Sequence, residues 1–297
     1  MESLVRCCEA VQVAGLMQVV GVAAFAVLVS GAPFRAFPVR LFVVSALASI
    51  VAGAACLCAQ TAHIGGQAIP SLDLLATMAL RTEYGHVCIA RMALLVLAVG
   101  VVVGAAPDAV PARRMWLAFG AAVAALATVA ITGHASAAGP DQWPIAAIYV
   151  VHLVASAVWL GGLLPFAVAL HAARRADKDG IIAAVDIARR FSTLGLVAVV
   201  ALVASGLVNA AFTVGRFTAL LTDPYGILLS AKLALFAAML TFAAVNRCVL
   251  LPQLVTGDRP ARASRRLARN AALELALGIA VVVVAVQLGA APPPGAP

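Results

Sequence analysis

Charged and aromatic side chains are scarce in this chain of 297 residues, at 11% and 6% of the positions. A soluble domain of this length needs polar side chains to cover its surface, yet 64% of the residues are hydrophobic. The shortage of charge therefore argues against a soluble protein. It indicates a chain for which lipid is the main solvent.

The sequence motifs of catalysis are also missing. There is no P-loop, no dinucleotide-binding fingerprint, no hydrolase nucleophile elbow and no pair of carboxylates spaced for acid–base work. The six cysteines form no CxxC pair and several lie inside the apolar runs, so neither a zinc finger nor a disulfide framework is indicated. Gly161-Gly162 follows no strand, so we expect close helix packing there and not phosphate binding. We predict that the protein is not an enzyme.

Long apolar runs dominate what is present. A helix needs about 20 residues to cross the hydrocarbon core of a bilayer, and backbone groups in lipid must bond within their own helix. We therefore predict an all-α polytopic membrane protein with eight transmembrane helices. The predicted spans are 9–30, 39–63, 86–105, 115–134, 145–170, 191–214, 225–248 and 268–290.

The basic residues alternate between the connecting segments. Those after spans 1, 3, 5 and 7 are rich in Lys and Arg, whereas the N-terminus and the loops after spans 2, 4 and 6 have one or none each. By the positive-inside rule this pattern puts both termini in the periplasm. The net charge of +8 is then a topology signal, and we predict no nucleic-acid partner.

The chain also shows a weak internal repeat. Tyr84 precedes Arg91 by seven positions, and Tyr225 precedes Lys232 by the same interval. Because four spans are an even number, two such halves share one orientation, as in transporters built from parallel repeats. We predict two parallel four-helix repeats, 1–140 with spans 1–4 and 141–297 with spans 5–8.

The longest outer connection, 64–85, carries apolar residues at helical spacing. This pattern predicts a short helix lying on the membrane surface. The residues concerned are Leu72, Leu74, Leu75, Met78 and Ala79.

Four of the five histidines fall at the outer side of this topology. His63, His86 and His134 lie at the ends of spans, and His152 lies roughly 12 Å below the outer surface at 1.5 Å per residue. A polar side chain inside a span is expensive unless it has a function. Imidazole binds copper, zinc, iron and nickel, so these histidines predict a metal site near the outer surface.

Sulfur ligands occur in the same part of the chain, and soft sulfur favours Cu(I). Cys56 lies seven residues before His63 and shares its helix face, and Cys88 and Met92 are four apart on span 3. Met17 lies in the outer half of span 1. We predict Cys56, Cys88, Met17 and Met92 as further metal ligands.

A few other polar residues lie inside spans. Arg91 and Lys232 are expected to extend outward to the interface, or to hold an anionic group or repel a cation. Asn209 is expected to bond a neighbouring helix, and Glu274 to form an ion pair with Arg269.

The second half of the chain resembles the copper-resistance protein D (CopD) family of bacterial inner-membrane proteins. The resemblance covers residues 145–295 well and 1–135 more loosely. It rests on His152-Leu153, Trp159-Leu160-Gly161-Gly162-Leu163-Leu164-Pro165, Arg190-Phe191-Ser192, Ser205-Gly206-Leu207-Val208-Asn209, Tyr225-Gly226 with Lys232, Asn246-Arg247 and Glu274-Leu275.

The resemblance implies copper homeostasis, with Cu(I) or Cu(II) moving from the periplasm toward the cytoplasm. Trp159 and Asn246 join Asn209, Lys232, Arg91 and Glu274 as expected structural or gating residues. A periplasmic copper carrier of the CopC type is an expected partner and, with no outer soluble domain here, would be a separate chain. Two alternatives stay open: a haem-binding electron-transfer protein with His axial ligands, and an assembly component without a ligand.

Overall fold

The computed structural model describes residues 2–30, 36–104, 110–132, 142–173, 178–213, 224–256 and 260–291. Every secondary-structure element in these ranges is a helix. In chain order the helices are α1 (Glu2–Ala24), π1 (Phe25–Ser30), α2 (Ala36–Ile64), α3 (Leu72–Arg81), α4 (Glu83–Val103), α5 (Ala112–Thr132), α6 (Gln142–Ala173), α7 (Lys178–Thr213), α8 (Pro224–Val245), π2 (Asn246–Leu250), α9 (Leu251–Thr256) and α10 (Pro260–Ala290).

Eight stretches of the described residues are long and apolar enough to cross a membrane. The predicted all-α class and the predicted number of membrane-length helices are therefore confirmed. Three helices begin well before the predicted spans: α1 at Glu2, α7 at Lys178 and α10 at Pro260, against 9, 191 and 268. Mean hydropathy identifies only the apolar part of a helix, which can lie in lipid. The helix itself can extend further, because charged residues outside the lipid also form the backbone hydrogen bonds of an α-helix.

The chain forms two compact units. Unit 1 comprises Met1–Ala23 and Pro33–Val154, and unit 2 comprises Ala24–Ala32 and Ala155–Pro297. The end of the first long helix thus belongs to unit 2, together with the second half of the chain. The repeat relation between residues 1–140 and 141–297, and the periplasmic position of the termini, stay predictions.

In unit 1, α4 packs against α5, α2 and α3. The short helix predicted between spans 2 and 3 is present as α3, where Ser71 caps the N-terminus by accepting a hydrogen bond from the Leu74 N–H at 3.3 Å. Leu74 and Met78 are half-buried, whereas Leu72 is 84% exposed. The helix therefore has an apolar side that unit 1 leaves uncovered, and its place on a membrane surface stays a prediction.

In unit 2, aromatic rings fill the space between helices. Phe191 of α7 stacks on Phe166 of α6 with ring centroids 4.4 Å apart, and Phe25 of π1 lies 6.1 Å from Phe191. A Cβ on Gly162 would lie 2.8 Å from the Phe191 ring, so glycine permits this close approach. The prediction of close helix packing at Gly162 is confirmed.

Candidate functional site

Arg91 of α4 is the centre of a polar cluster inside unit 1. Its side chain is buried, and three of its hydrogen bonds go to two other helices. Nε donates to Thr128 Oγ1 at 2.7 Å, Nη2 to the Thr128 carbonyl at 3.2 Å, and Nη1 to Gln12 Oε1 at 3.0 Å. Arg91 also interacts electrostatically with Glu9 of α1. The expectation that Arg91 extends outward to the interface is wrong, because these partners hold it in the interior.

Gln12 joins this cluster to the contact between α1 and α2. The Gln12 carbonyl accepts a hydrogen bond from Ser49 Oγ at 2.9 Å. Its Nε2 is buried without a hydrogen-bond partner among the described residues, and a Cβ on Gly53 would lie 2.2 Å from it. Glycine at position 53 is therefore what leaves room for the Gln12 amide beside α2.

Two cysteines from different helices meet one turn away from Arg91. Tyr84 lies in the first turn of α4, and its hydroxyl oxygen is 3.8 Å from Cys56 Sγ of α2. The same hydroxyl also interacts with Cys88, one turn along α4. Both thiols are buried, and Cys56 also lies 4.0 Å from the carbonyl oxygen of Val5.

This arrangement suits a soft metal ion that binds sulfur. A thiolate is the form of cysteine that binds metals, and a buried negative charge needs compensation nearby. Arg91 interacts electrostatically with Cys56 and Cys88, so it supplies a positive charge beside both thiols. Tyr84 can donate to one sulfur or accept from it.

The predicted histidine ligands lie at more exposed positions. His63 at the end of α2 and His86 in the first turn of α4 are exposed, and a ring nitrogen of His86 is 3.0 Å from the Leu80 carbonyl oxygen. His152 of α6 is half-buried, and His134 lies outside the described residues. Within the described part of the chain, no three His, Cys, Asp or Glu side chains are grouped closely enough to hold a metal ion. The four-histidine site therefore stays a prediction.

The remaining predicted residues are spread over both units. Met17 is buried in α1, and Met92 of α4 is half-buried. Asn209 of α7 and Lys232 of α8 are also half-buried. Their predicted roles, as sulfur ligands and as structural or gating residues, stay predictions.

Glu274 is the centre of a second polar cluster, in unit 2. Its side chain is 2% exposed, and Oε1 accepts a hydrogen bond from Asn246 Nδ2 at 2.5 Å. Asn246 Oδ1 accepts in turn from Asn270 Nδ2 at 2.9 Å, and the Trp159 side chain is also hydrogen-bonded to Glu274. The predicted ion pair with Arg269 is wrong, because Glu274 is bonded to Asn246 and Trp159, and no salt bridge joins it to Arg269 in the part of the chain that the structure describes. One helical turn of α10 separates Glu274 from Asn270, so both face α8 and π2, whereas Arg269 does not.

The sequence matches two family models. Copper resistance protein D matches residues 185–288, and Copper resistance protein D-like, N-terminal domain, matches residues 1–143. The chain is also 34% identical over 238 residues to copper resistance protein D of Pseudomonas syringae pv. tomato, an alignment that covers 76% of this chain and 73% of that protein. The chain belongs to the copper resistance protein D family. The resemblance inferred from the motifs of the second half is confirmed, and it extends over the first half as well.

Two further relatives of this copper resistance protein D family member align over shorter stretches. Inner membrane protein YebZ of Escherichia coli (strain K12) is 34% identical over 136 residues, 46% of this chain and 45% of that protein. Copper transport protein CutJ of Bacillus subtilis (strain 168) is 31% identical over 169 residues, 57% of this chain and 29% of that protein. No solved structure matches the chain. With its membrane-length helices, the family member is a multi-pass inner-membrane protein.

Some residues of the two clusters were given no predicted site role from the sequence of this family member, although their spacing from the predicted residues carried a signal. These residues are Glu9, Gln12, Ser49, Tyr84, Thr128 and Asn270. Tyr84, Cys88 and Arg91 recur at intervals of four and three, which puts them on one face of α4. Ser49, Gly53 and Cys56 repeat the same intervals on α2, and Glu9 and Gln12 are three apart on α1. Asn270 and Glu274 are four apart on α10. Polar residues aligned on one face of an apolar helix therefore indicated the sides that meet.

Proposed function

We propose that this protein binds copper as Cu(I) through Cys56 and Cys88 and moves it across the inner membrane from the periplasm toward the cytoplasm. The observation that supports this most is the meeting of two buried thiols at the Tyr84 hydroxyl. Thiolates are soft ligands, and soft ligands select Cu(I) over harder divalent cations. The relatives named for copper resistance and copper transport support the same cargo.

Histidines nearer the outer ends of the helices form the proposed entry to this pair. His63 and His86 are exposed, so a separate periplasmic copper carrier of the CopC type has access to their rings. His134 and His152 complete the proposed capture site, and Met17 and Met92 are proposed as weak ligands for onward transfer. Weak, exchangeable ligands are what a transport path needs, because an ion that binds too tightly at one point does not leave it.

We propose that Arg91 balances the negative charge of the thiolates along this path. It lies beside the thiols, where it compensates a thiolate. Two thiolates that hold Cu(I) keep a net negative charge, and Arg91 balances this charge inside the protein. The haem alternative gains no support from the comparisons, and we propose no enzymatic activity.

The test is copper binding and copper accumulation by the double variant Cys56→Ser/Cys88→Ser. We expect purified protein without a histidine tag to lose its bound Cu(I), and cells that express the variant to lose the copper accumulation that the unchanged protein confers. Cys58→Ser is the matched control, because Cys58 lies on the same helix two residues away and is half-buried. We expect this control to bind and accumulate copper normally.

Two results would contradict the proposal. One is full Cu(I) binding and accumulation by the double variant, provided that its amount in the membrane equals that of the control. The other is equal loss in Cys58→Ser, which would show that any change in this helix has the same effect. His152→Ala together with His134→Ala tests the entry separately, and unchanged uptake by this pair would remove the histidine site.

A further inference from the structure

Unit 2 contains a cavity of about 360 Å³ that the copper proposal does not use. It lies among α6, α7, α8, π2, α9 and α10, and most of its lining is apolar, with Leu163, Val199 and Leu240 among the residues concerned. Cavities that hold small molecules in proteins have about this volume, an apolar lining and a few convergent polar groups. The polar groups therefore decide what kind of molecule the cavity accepts.

A hydrogen-bond acceptor lies in the wall of this cavity. Glu274 and its two partners Asn246 and Trp159 all line it. Asn246 Nδ2 donates to Glu274 Oε1, and the Trp159 side chain is hydrogen-bonded to the same carboxyl group, whose two oxygens offer more acceptor positions than these two bonds use. Glu274 therefore retains capacity to accept a hydrogen bond from a molecule inside the cavity.

Flat aromatic surfaces form another part of the wall. Phe166 and Phe191, stacked at an interplanar angle of 17°, both line the cavity, and so does Trp159. Leu196, which is 46% exposed, and Arg247, which donates to Ser192 Oγ at 2.8 Å, line it at the protein surface. Both belong to candidate membrane spans, which is the position that a ligand entering from lipid would need.

The Glu274 carboxyl group favours a membrane-soluble ligand with a hydroxyl group over the acyl chain of a phospholipid. The acyl chain of a phospholipid would lay methylene groups against Glu274 and leave its free acceptor positions without a partner, which is costly in an apolar site. A ligand with a hydroxyl on a flat ring satisfies Glu274 and packs its ring against the aromatic wall. We propose that this cavity binds the hydroquinone head of a membrane-soluble quinol, with one phenolic O–H donating to Glu274.

The inference is independent of the proposed copper function. The cavity lies in unit 2, whereas Cys56, Cys88 and the described histidines 63, 86 and 152 lie in unit 1. Failure of quinol binding would leave the copper site untouched, and failure of copper binding would leave the cavity in place.

Binding can be followed through the fluorescence of Trp159 in the full chain in lipid nanodiscs. Trp116→Phe and Trp143→Phe leave Trp159 as the remaining tryptophan, and both replaced rings are largely exposed, at 48% and 68%. The probe is a 1,4-benzoquinol with a decyl chain, kept reduced. The matched probe is the same molecule with both hydroxyls methylated, which cannot donate a hydrogen bond. We expect a saturable fluorescence change with the quinol and about tenfold weaker binding of the methylated probe.

Two variants test the position of the ligand. Gly195 lines the cavity, and a Cβ there would meet the Trp159 ring at an ordinary 3.9 Å, so Gly195→Leu fills the space without a clash at Cβ. We expect it to abolish saturable binding, whereas Gly195→Ala retains it. Glu274→Gln keeps the size of the side chain but replaces one acceptor oxygen with an amide nitrogen that only donates, and we expect about tenfold weaker binding.

Three results would overturn the proposal. They are no saturable binding of the quinol, equal binding of the methylated probe, and full quinol binding by Gly195→Leu. A phospholipid that copurifies with the protein, is lost in Gly195→Leu and resists displacement by the quinol would assign the cavity to a lipid instead. Thermal unfolding of each variant shows that the fold is retained.

Discussion

Arg91 is a charged side chain in the middle of an apolar helix, and its hydrogen bonds explain how unit 1 retains it there. An arginine in lipid costs several kcal/mol unless its donors are satisfied within the protein. Here the guanidinium donates to Thr128 and Gln12, which lie on helices on either side of α4 in sequence. Arg91 therefore joins α4 to α1 and α5, in addition to compensating charge at the thiols.

Thr128→Val tests this role at the scale of one residue. Valine has nearly the shape of threonine but lacks the oxygen that accepts from Arg91 Nε at 2.7 Å. A buried charged donor then loses a partner, so we expect the free energy of unfolding in detergent to fall by about 1–3 kcal/mol. Thr241→Val is the control, because its exposed hydroxyl donates within its own helix, to Ala237, and we expect a change of about 0.5 kcal/mol or less. Equal effects of the two changes would refute the structural role of the Arg91–Thr128 contact.

At the scale of the helices, the π-helical turn π2 contains Asn246, which bonds the buried carboxyl group of Glu274. A π-helical turn accommodates one more residue than an α-helical turn and is often found at functional sites. π2 begins at Asn246, the residue that bonds both Glu274 and Asn270 of α10. Asn246, Arg247 and Cys248 of this turn all line the cavity. The turn therefore connects α8 to α10 through Asn246 and forms part of the cavity wall.

The coupling between π2 and α10 can be measured with a double-mutant cycle. Asn246→Leu leaves the buried Glu274 carboxyl group without one partner, and we expect a loss of about 2–3 kcal/mol of unfolding free energy. Glu274→Leu alone leaves the Asn246 amide without its acceptor and costs a similar amount. The double variant removes both polar groups, so its loss should be smaller than the sum of the single losses by at least about 1 kcal/mol.

Denaturation of all four proteins in the same detergent gives the coupling energy directly. Gln253→Leu, at an exposed position of α9, controls for the addition of apolar surface near π2. Additive losses would mean that the contact of 2.5 Å between Asn246 and Glu274 contributes nothing to stability.

For the whole molecule, the sequence was most informative where structure depends on local composition. Eight apolar runs predicted eight membrane-length helices, and the α3 helix followed from the spacing of its apolar residues. The helix ends at Lys178 and Pro260 were not predictable from hydropathy, because a helix continues beyond the lipid. The family was identified from short motifs scattered over several helices, which the comparisons then confirmed.

The polar clusters were only partly predictable, because they depend on how helices rotate against one another. Cys56 and Cys88 were both predicted as metal ligands. Tyr84, whose hydroxyl interacts with both of them, was noted only as part of the internal repeat. Glu274 was assigned to Arg269 on sequence distance, whereas its partner Asn246 is 28 residues away in the chain. Contacts of this length follow from helix packing and not from the pattern of any single helix.

The last prediction concerns the orientation of the chain in the membrane. It follows from the distribution of Lys and Arg among the segments that connect the helices. The first turns of α10 contain Arg262, Arg265, Arg266 and Arg269, and basic segments of this kind stay in the cytoplasm. We expect alkaline phosphatase, which folds in the periplasm, to be active when fused after Pro297 and inactive when fused after Thr256. Green fluorescent protein, which fluoresces in the cytoplasm, should give the reverse pattern. Equal activity at both points would mean that the last helix does not cross the membrane. A full inversion would put the histidines on the cytoplasmic side, and the proposed direction of copper movement would then have to be reversed.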